Sequence, residues 1–193
     1  IAHDLAQPHP MRRLLQGDVG SGKTLVAALA ALQAIENDWQ VALMAPTEIL
    51  AEQHYLKLEH WLAPLGLKVS WLAGSLNARA NKAAVEAIAR GETQLAIGTH
   101  ALFQEGVEFQ RLGLAIVDEQ HRFGVAQRLA LTGKGTEPHQ LMMSATPIPR
   151  TLSMSYYADL DVSVIDELPP GRTPVVTKLV DESRRDEVIQ RIR

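Results

Sequence analysis

Short apolar runs of strand length recur along the chain, separated by longer segments whose apolar residues fall at helical spacing. The runs lie at 13–16, 41–45, 68–72, 94–98, 114–118, 140–144 and 162–165, and the helical patterns at 23–36, 48–62, 78–90 and 182–193. Strands that are apolar throughout, alternating with helices, predict an α/β domain with a mainly parallel sheet covered by helices on both faces. The helix over 23–36 is apolar nearly all round, with Leu25, Val26, Leu29, Leu32, Ile35 and five alanines, so it is expected to be buried under the sheet. The helix over 48–62 starts after Pro46-Thr47 and carries a core stripe of Ala51, Tyr55, Leu58 and Leu62. That over 78–90 is expected to bury Ala80, Ala84, Ala87 and Ile88. Three prolines and a glycine between 167 and 174 stop regular structure and read as a semi-rigid linker. Residues 1–166 are therefore expected to form one domain, and 175–193 the first strand and helix of a following one.

Composition narrows the function. The 193 residues contain no cysteine, which excludes disulfides and Cys-based zinc sites and makes a cytoplasmic setting the default. The seven histidines show no H-x-x-x-H or H-E-x-x-H spacing, so a dedicated histidine metal site is not expected. No apolar run approaches the length of a membrane span, and no secretory signal pattern is present. A net charge of −3 argues against strong, purely electrostatic binding of nucleic acid. The chain opens at Ile1 without Met and ends within a helical pattern, so a piece of a longer protein is expected, with monomer the simplest state.

Three segments carry chemistry. Gly17-Asp18-Val19-Gly20-Ser21-Gly22-Lys23-Thr24 fits G-x-x-x-x-G-K-[ST] between a strand and a helix, which points to a nucleoside triphosphate. Glycines let successive backbone N–H groups face the phosphates, and the helix start adds its positive dipole end. Lys23 is expected on the β- and γ-phosphates and the Thr24 hydroxyl on Mg²⁺. The second segment is an apolar strand ending in Asp118-Glu119, then Gln120 and His121. In a phosphate-loop enzyme a carboxylate at that tip holds Mg²⁺ and its neighbour activates water, giving Asp118 to the metal and Glu119 to the water. The third, Ser144-Ala145-Thr146, follows another apolar strand and offers hydroxyls toward the Asp118 and His121 region, although Ser/Thr/Pro clusters are also generic turn formers.

Taken together, these segments make the chain resemble the first RecA-like motor domain of superfamily 2 helicases, within the P-loop NTPases. The resemblance rests on GDVGSGKT at 17–24, APTEILAEQH at 45–54, GTHALFQ at 98–104, DEQHRFGV at 118–125, SATPIPRTL at 144–152 and DELPPGRTPV at 166–175. It extends over essentially the whole chain and is nearest to bacterial helicases that remodel branched DNA at stalled forks and Holliday junctions. The nearest rival, the transcription–repair coupling factor, shares HRFGV and ATPIPRTL but typically carries DEEH where this chain has Asp118-Glu119-Gln120-His121. It also usually lacks the PPGRTP run. A mild departure is Ser144, where such proteins often have threonine.

The resemblance implies ATP and Mg²⁺ as ligands, catalytic roles for Lys23, Glu119, Gln120 and His121, and coupling of hydrolysis through Ser144, Ala145 and Thr146. It further implies DNA-backbone contacts at Pro46, Thr47, Glu48, Gly74, Thr99 and His100, and a second RecA-like domain supplying arginines to the γ-phosphate. Two other classes share the phosphate loop. A small-molecule kinase would need an acceptor pocket and a lid bearing arginine, and a non-catalytic nucleotide module would have no use for Glu119.

Overall fold

The computed structural model describes residues 1–74, 78–103, 106–118, 137–146, 160–167, 173, 177 and 179–192. The seven strands predicted within residues 1–166 form, with bounds shifted by one or two residues: β1 (Arg12–Gly17), β2 (Gln40–Met44), β3 (Val69–Leu72), β4 (Leu95–Gly98), β5 (Leu112–Asp118), β6 (His139–Ser144) and β7 (Asp161–Ile165). They build one sheet in the order β3-β4-β2-β5-β6-β1-β7, and every pairing is parallel. Among the described residues the helices are α1 (Ala2–Leu5), α2 (Lys23–Ile35), α3 (Glu48–Leu62), α4 (Ala78–Ala89) and α5 (Arg185–Ile192).

Side chains alternate across a strand, so each central strand feeds two cores. Val41 and Leu43 of β2 join Leu95, Ile97, Leu114 and Ile116 beneath α2 and α3. Ala42 and Met44, one residue out of phase, join Leu72, Ile88, Ala96, Ala115 and Val117 on the face covered by α4. Leu43 stands between Ile97 and Ile116 in register, and all three are fully buried. Each such side chain stabilises the fold by about 1.5–3 kcal/mol through burial.

The helices depart from expectation in instructive ways. α2 is not buried all round: Ala27, Ala28, Ala30, Ala31 and Ile35 make its core face, whereas Leu25 and Leu29 are 53% and 59% exposed. Four of the five buried residues are alanines, whose small side chains let the helix lie close on the sheet. On α3 the buried stripe is Ala51, His54, Leu58 and Leu62, with His54 in the place predicted for Tyr55. Tyr55 lies half-buried at the edge and stacks on Trp71, with ring centroids 5.9 Å apart. α4 buries Ile88 alone of its four expected residues, and Ala80 is exposed. The final predicted helix divides into a 3-10 turn (Glu182–Arg184) and α5. Most of the linker lies outside the described residues, as does half of the strand expected within 175–180, whose described residues Thr177, Leu179 and Val180 adopt no regular structure.

Candidate functional site

The C-terminal ends of the strands share one edge of the sheet, and the candidate residues gather along it. Register sets Gln16 of β1 beside Ser144 of β6, and Met143 of β6 beside Asp118 of β5. The phosphate-loop start, Asp118 and Ser144 are therefore at the tips of three adjacent strands.

The loop leaves β1 at Gly17 and turns through Gly20 and Gly22, both at positive φ (84° and 97°), before α2 begins at Lys23. Gly22 caps that helix in the left-handed region, a conformation that costs a residue with Cβ about 1–2 kcal/mol. A Cβ there would meet nothing within 4 Å, so the glycine is required by backbone conformation and the space above it is open. Gly17 answers a different need: a Cβ would stand 2.5 Å from Ser21 Oγ and 3.1 Å from Ile165 Cβ. Lys23 folds back over the loop, its ammonium donating to the carbonyls of Gly17 at 2.6 Å and Asp18 at 2.9 Å.

The loop suits phosphate on its own chemistry. The first N–H groups of a helix lack partners within it, and here they stand behind an open glycine turn with a lysine across it. Ser21 Oγ is buried without a hydrogen-bond partner among the described residues. Thr24 is half-buried in the first turn of α2.

Asp118 closes β5, and its Oδ2 is 2.7 Å from Nε2 of His54 on α3. A carboxylate oxygen only accepts, so Nε2 carries the hydrogen and donates it. Both side chains are largely buried, at 11% exposure for His54 and 14% for Asp118. Sequence reasoning assigned His54 no role. The available signal was its position three residues after Ala51 and four before Leu58, on the buried stripe of α3. Ser144 Oγ is 2.9 Å from Thr146 Oγ1 and accepts from Thr146 N–H at 3.2 Å, so the two hydroxyl residues brace each other in a local turn with Ala145 between them. Glu119, Gln120 and His121 lie outside the described residues.

The remaining candidates occupy the other half of the edge. Pro46, Thr47 and Glu48 follow β2, Gly74 follows β3, and Thr99 and His100 follow β4. Thr47 caps α3, its side chain accepting from Leu50 N–H. Glu48 Oε1 accepts from Gly74 N–H at 2.8 Å, so two candidates from different strands are joined, and that N–H is engaged by a carboxylate. Thr99 is buried and its carbonyl takes the Leu102 N–H, while His100 is exposed at the start of a 3-10 turn. Among the described residues no three His, Asp or Glu side chains gather as a metal cluster, and no helix is long and apolar enough to cross a membrane.

Residues 4–155 match the DEAD/DEAH box helicase family. The chain belongs to that family. Its relatives include the ATP-dependent DNA helicase RecG of Haemophilus influenzae, 61% identical over all of this chain and 28% of the relative. The RecG of Escherichia coli is 62% identical, again over the whole chain and 28% of the relative. The chain thus spans about a quarter of the length of the curated relatives it matches. A solved structure of RecG bound to a three-way DNA junction superimposes with a TM-score of 0.83 at 45% identity, covering 98% of this chain and 25% of that one. The chain thus has a RecA-like helicase fold, an all-parallel seven-stranded sheet with helices on both faces.

Proposed function

We propose that this chain is the ATP-binding motor domain of a RecG-like DNA helicase that remodels branched DNA. The observation that carries this is the division of one sheet edge. The phosphate loop, Asp118 and Ser144 occupy the tips of β1, β5 and β6, and the residues matched to DNA contacts follow β2, β3 and β4. A nucleotide and a polynucleotide can thus be held side by side on one rigid sheet, as expected where ligands meet the C-terminal ends of parallel strands.

In this reading the backbone N–H groups at the start of α2 receive the β- and γ-phosphates, and Lys23 exchanges its two carbonyl bonds for phosphate oxygens. Thr24 and Asp118 hold Mg²⁺, which when bound neutralises charge developing on the transferred phosphoryl group. Glu119 orients and deprotonates the attacking water. Gln120 and His121 connect that site to Ser144 and Thr146. Pro46, Thr47, Glu48, Gly74, Thr99 and His100 follow the DNA backbone, contacts that fix register and carry no sequence information. Residues 1–166 form the domain, 167–174 the linker, and 175–193 the first elements of a second RecA-like domain. That domain closes the nucleotide site with arginines worth about 10³–10⁵ in rate. The protein acts in the bacterial cytoplasm.

The test is the ATPase rate with and without forked DNA, measured on this chain and on one extended through the second motor domain. Turnover and DNA stimulation are expected only in the extended chain, with the short chain binding ATP weakly. Equal, DNA-independent turnover by the short chain would mean that the site is complete within it and that the motor reading is wrong.

A further inference from the structure

The bond between His54 and Asp118 spans the boundary between the two halves of the sheet edge. β2 and β5 are neighbours, with Met44 in register with Val117. His54 belongs to the helix that follows β2, and Asp118 is the tip of β5. The imidazole has little freedom, because its side chain is itself only 11% exposed and stands on a stripe with the buried Ala51, Leu58 and Leu62. A carboxylate turns readily about its last side-chain bond. A donor held in a packed stripe, 2.7 Å from one oxygen, restrains the rotation of that carboxylate.

The start of α3 is also tethered. Its first residue, Glu48, binds the Gly74 N–H beyond β3, and Thr47 caps it. His54 lies nearly two helical turns further on, at 3.6 residues per turn. One stiff element therefore carries DNA-facing candidates on its first turn and the donor to Asp118 on its second.

We infer that His54 is a positioning residue for Asp118, and that through it α3 links the DNA-facing end of the helix to metal binding. A displacement of α3 by a DNA backbone at 46–48 and 74 reorients the Asp118 carboxylate through the imidazole. This rests on the assignment of Asp118 to Mg²⁺ and of 46–48 to DNA made above. It adds to the Ser144 and Thr146 route a physical connection made by two side chains on neighbouring elements.

The experiment uses the full-length protein and reads Mn²⁺ affinity by electron paramagnetic resonance, with a non-hydrolysable ATP analogue, with and without forked DNA. Outer partners of metal-binding groups are worth about 10–100-fold in metal affinity, and His54→Leu is expected to weaken Mn²⁺ by that factor and to abolish the effect of DNA on it. His54→Gln, which presents an N–H near the position of Nε2, is expected to restore most of both. Metal-free nucleotide affinity should stay unchanged in each variant, while His54→Leu, which takes a donor from a largely buried carboxylate, is expected to unfold at a lower temperature and His54→Gln near that of the parent protein. Should leucine unfold the protein, His54→Asn withdraws the donor from Asp118 while staying polar and is read the same way. Asp118→Asn separates the two ideas. If it weakens Mn²⁺ and His54→Leu does not, the positioning role is overturned while the metal assignment stands. If Asp118→Asn itself leaves Mn²⁺ affinity intact, the metal assignment is wrong and the inference falls with it. A DNA effect that persists in His54→Leu would overturn the link through α3.

Discussion

At the scale of single residues, His139 shows how one side chain can tie strand packing to pH. It opens β6, and its Nδ1 accepts the Met11 N–H at 2.9 Å while the Met11 carbonyl accepts from Gln140 N–H at 2.7 Å, a pair of bonds that closes the β1–β6 seam at its N-terminal end. Accepting at Nδ1 requires that nitrogen to be unprotonated. Burial first, and the neighbouring charge of His9 second, hold the His139 pKa below its ordinary 6.5, and the Asp4 carboxylate opposes them. Between the lowered value and 6.5 the unfolded chain binds more protons than the folded one, so stability rises with pH through that window and falls on acidification below about pH 6.5. His139→Asn, whose Oδ1 can accept the same N–H without titrating, is expected to flatten this dependence. Urea midpoints at pH 7.5 and pH 5.5 read it, and an equal fall in both proteins would show that His139 is not its source.

Among the elements, α2 tests whether close approach or side-chain bulk sets the core face. Ala31 is 1% exposed against the sheet, and Leu29 is 59% exposed on the outer side. Enlarging a packed position costs about 1–3 kcal/mol, whereas an exposed change away from special features stays within about 0.5 kcal/mol. Ala31→Leu is therefore expected to destabilise this chain by that larger amount and Leu29→Gln to be near neutral, as read by urea denaturation. The reverse order would mean that the leucine face is the one that packs. The same helix shows where sequence reading stops. Strands were legible because buried parallel strands are short, continuously apolar and bounded by breakers, as with Val41 to Met44 and Leu95 to Ile97. Which side of an Ala/Leu helix faces inward was not, because a helix apolar all round has no periodicity to read. The α3 stripe runs through His54 and not Tyr55, which sequence alone does not reveal because an aromatic is the expected core residue and a histidine is not. Its bond to Asp118 depends on bringing positions 64 apart into contact, which spacing along the chain cannot reveal. The phosphate loop and Asp118 were legible for the opposite reason: their chemistry depends on local backbone turns and on a strand tip.

Across the whole molecule, the strand order sets the candidate nucleotide residues and the candidate DNA residues on different halves of one edge. From β1 the chain passes to β2, beyond the positions that β6 and β5 later take, then to β3 at the far edge and back to β4 between β3 and β2, so the loops after β2, β3 and β4 leave the sheet on the half away from the phosphate loop. Two single changes should then separate the two affinities in the longer protein, provided each is measured without the other ligand. Lys23→Ala removes a charged donor whose hydrogen bonds are worth about 1.5–3 kcal/mol, so nucleotide affinity should fall by roughly 10–100-fold with DNA affinity unchanged. His100→Ala removes an exposed polar group beyond β4 whose contact is worth about 0.5–1.5 kcal/mol. DNA affinity should fall by roughly 2–10-fold with nucleotide affinity unchanged. Fluorescence titrations with a labelled nucleotide and a labelled fork give both numbers. If His100→Ala weakened the nucleotide as much as the DNA, the two halves of the edge would not be independent sites. The bond between His54 and Asp118 could then no longer be treated as the place where they meet, because any residue on the edge would serve as well.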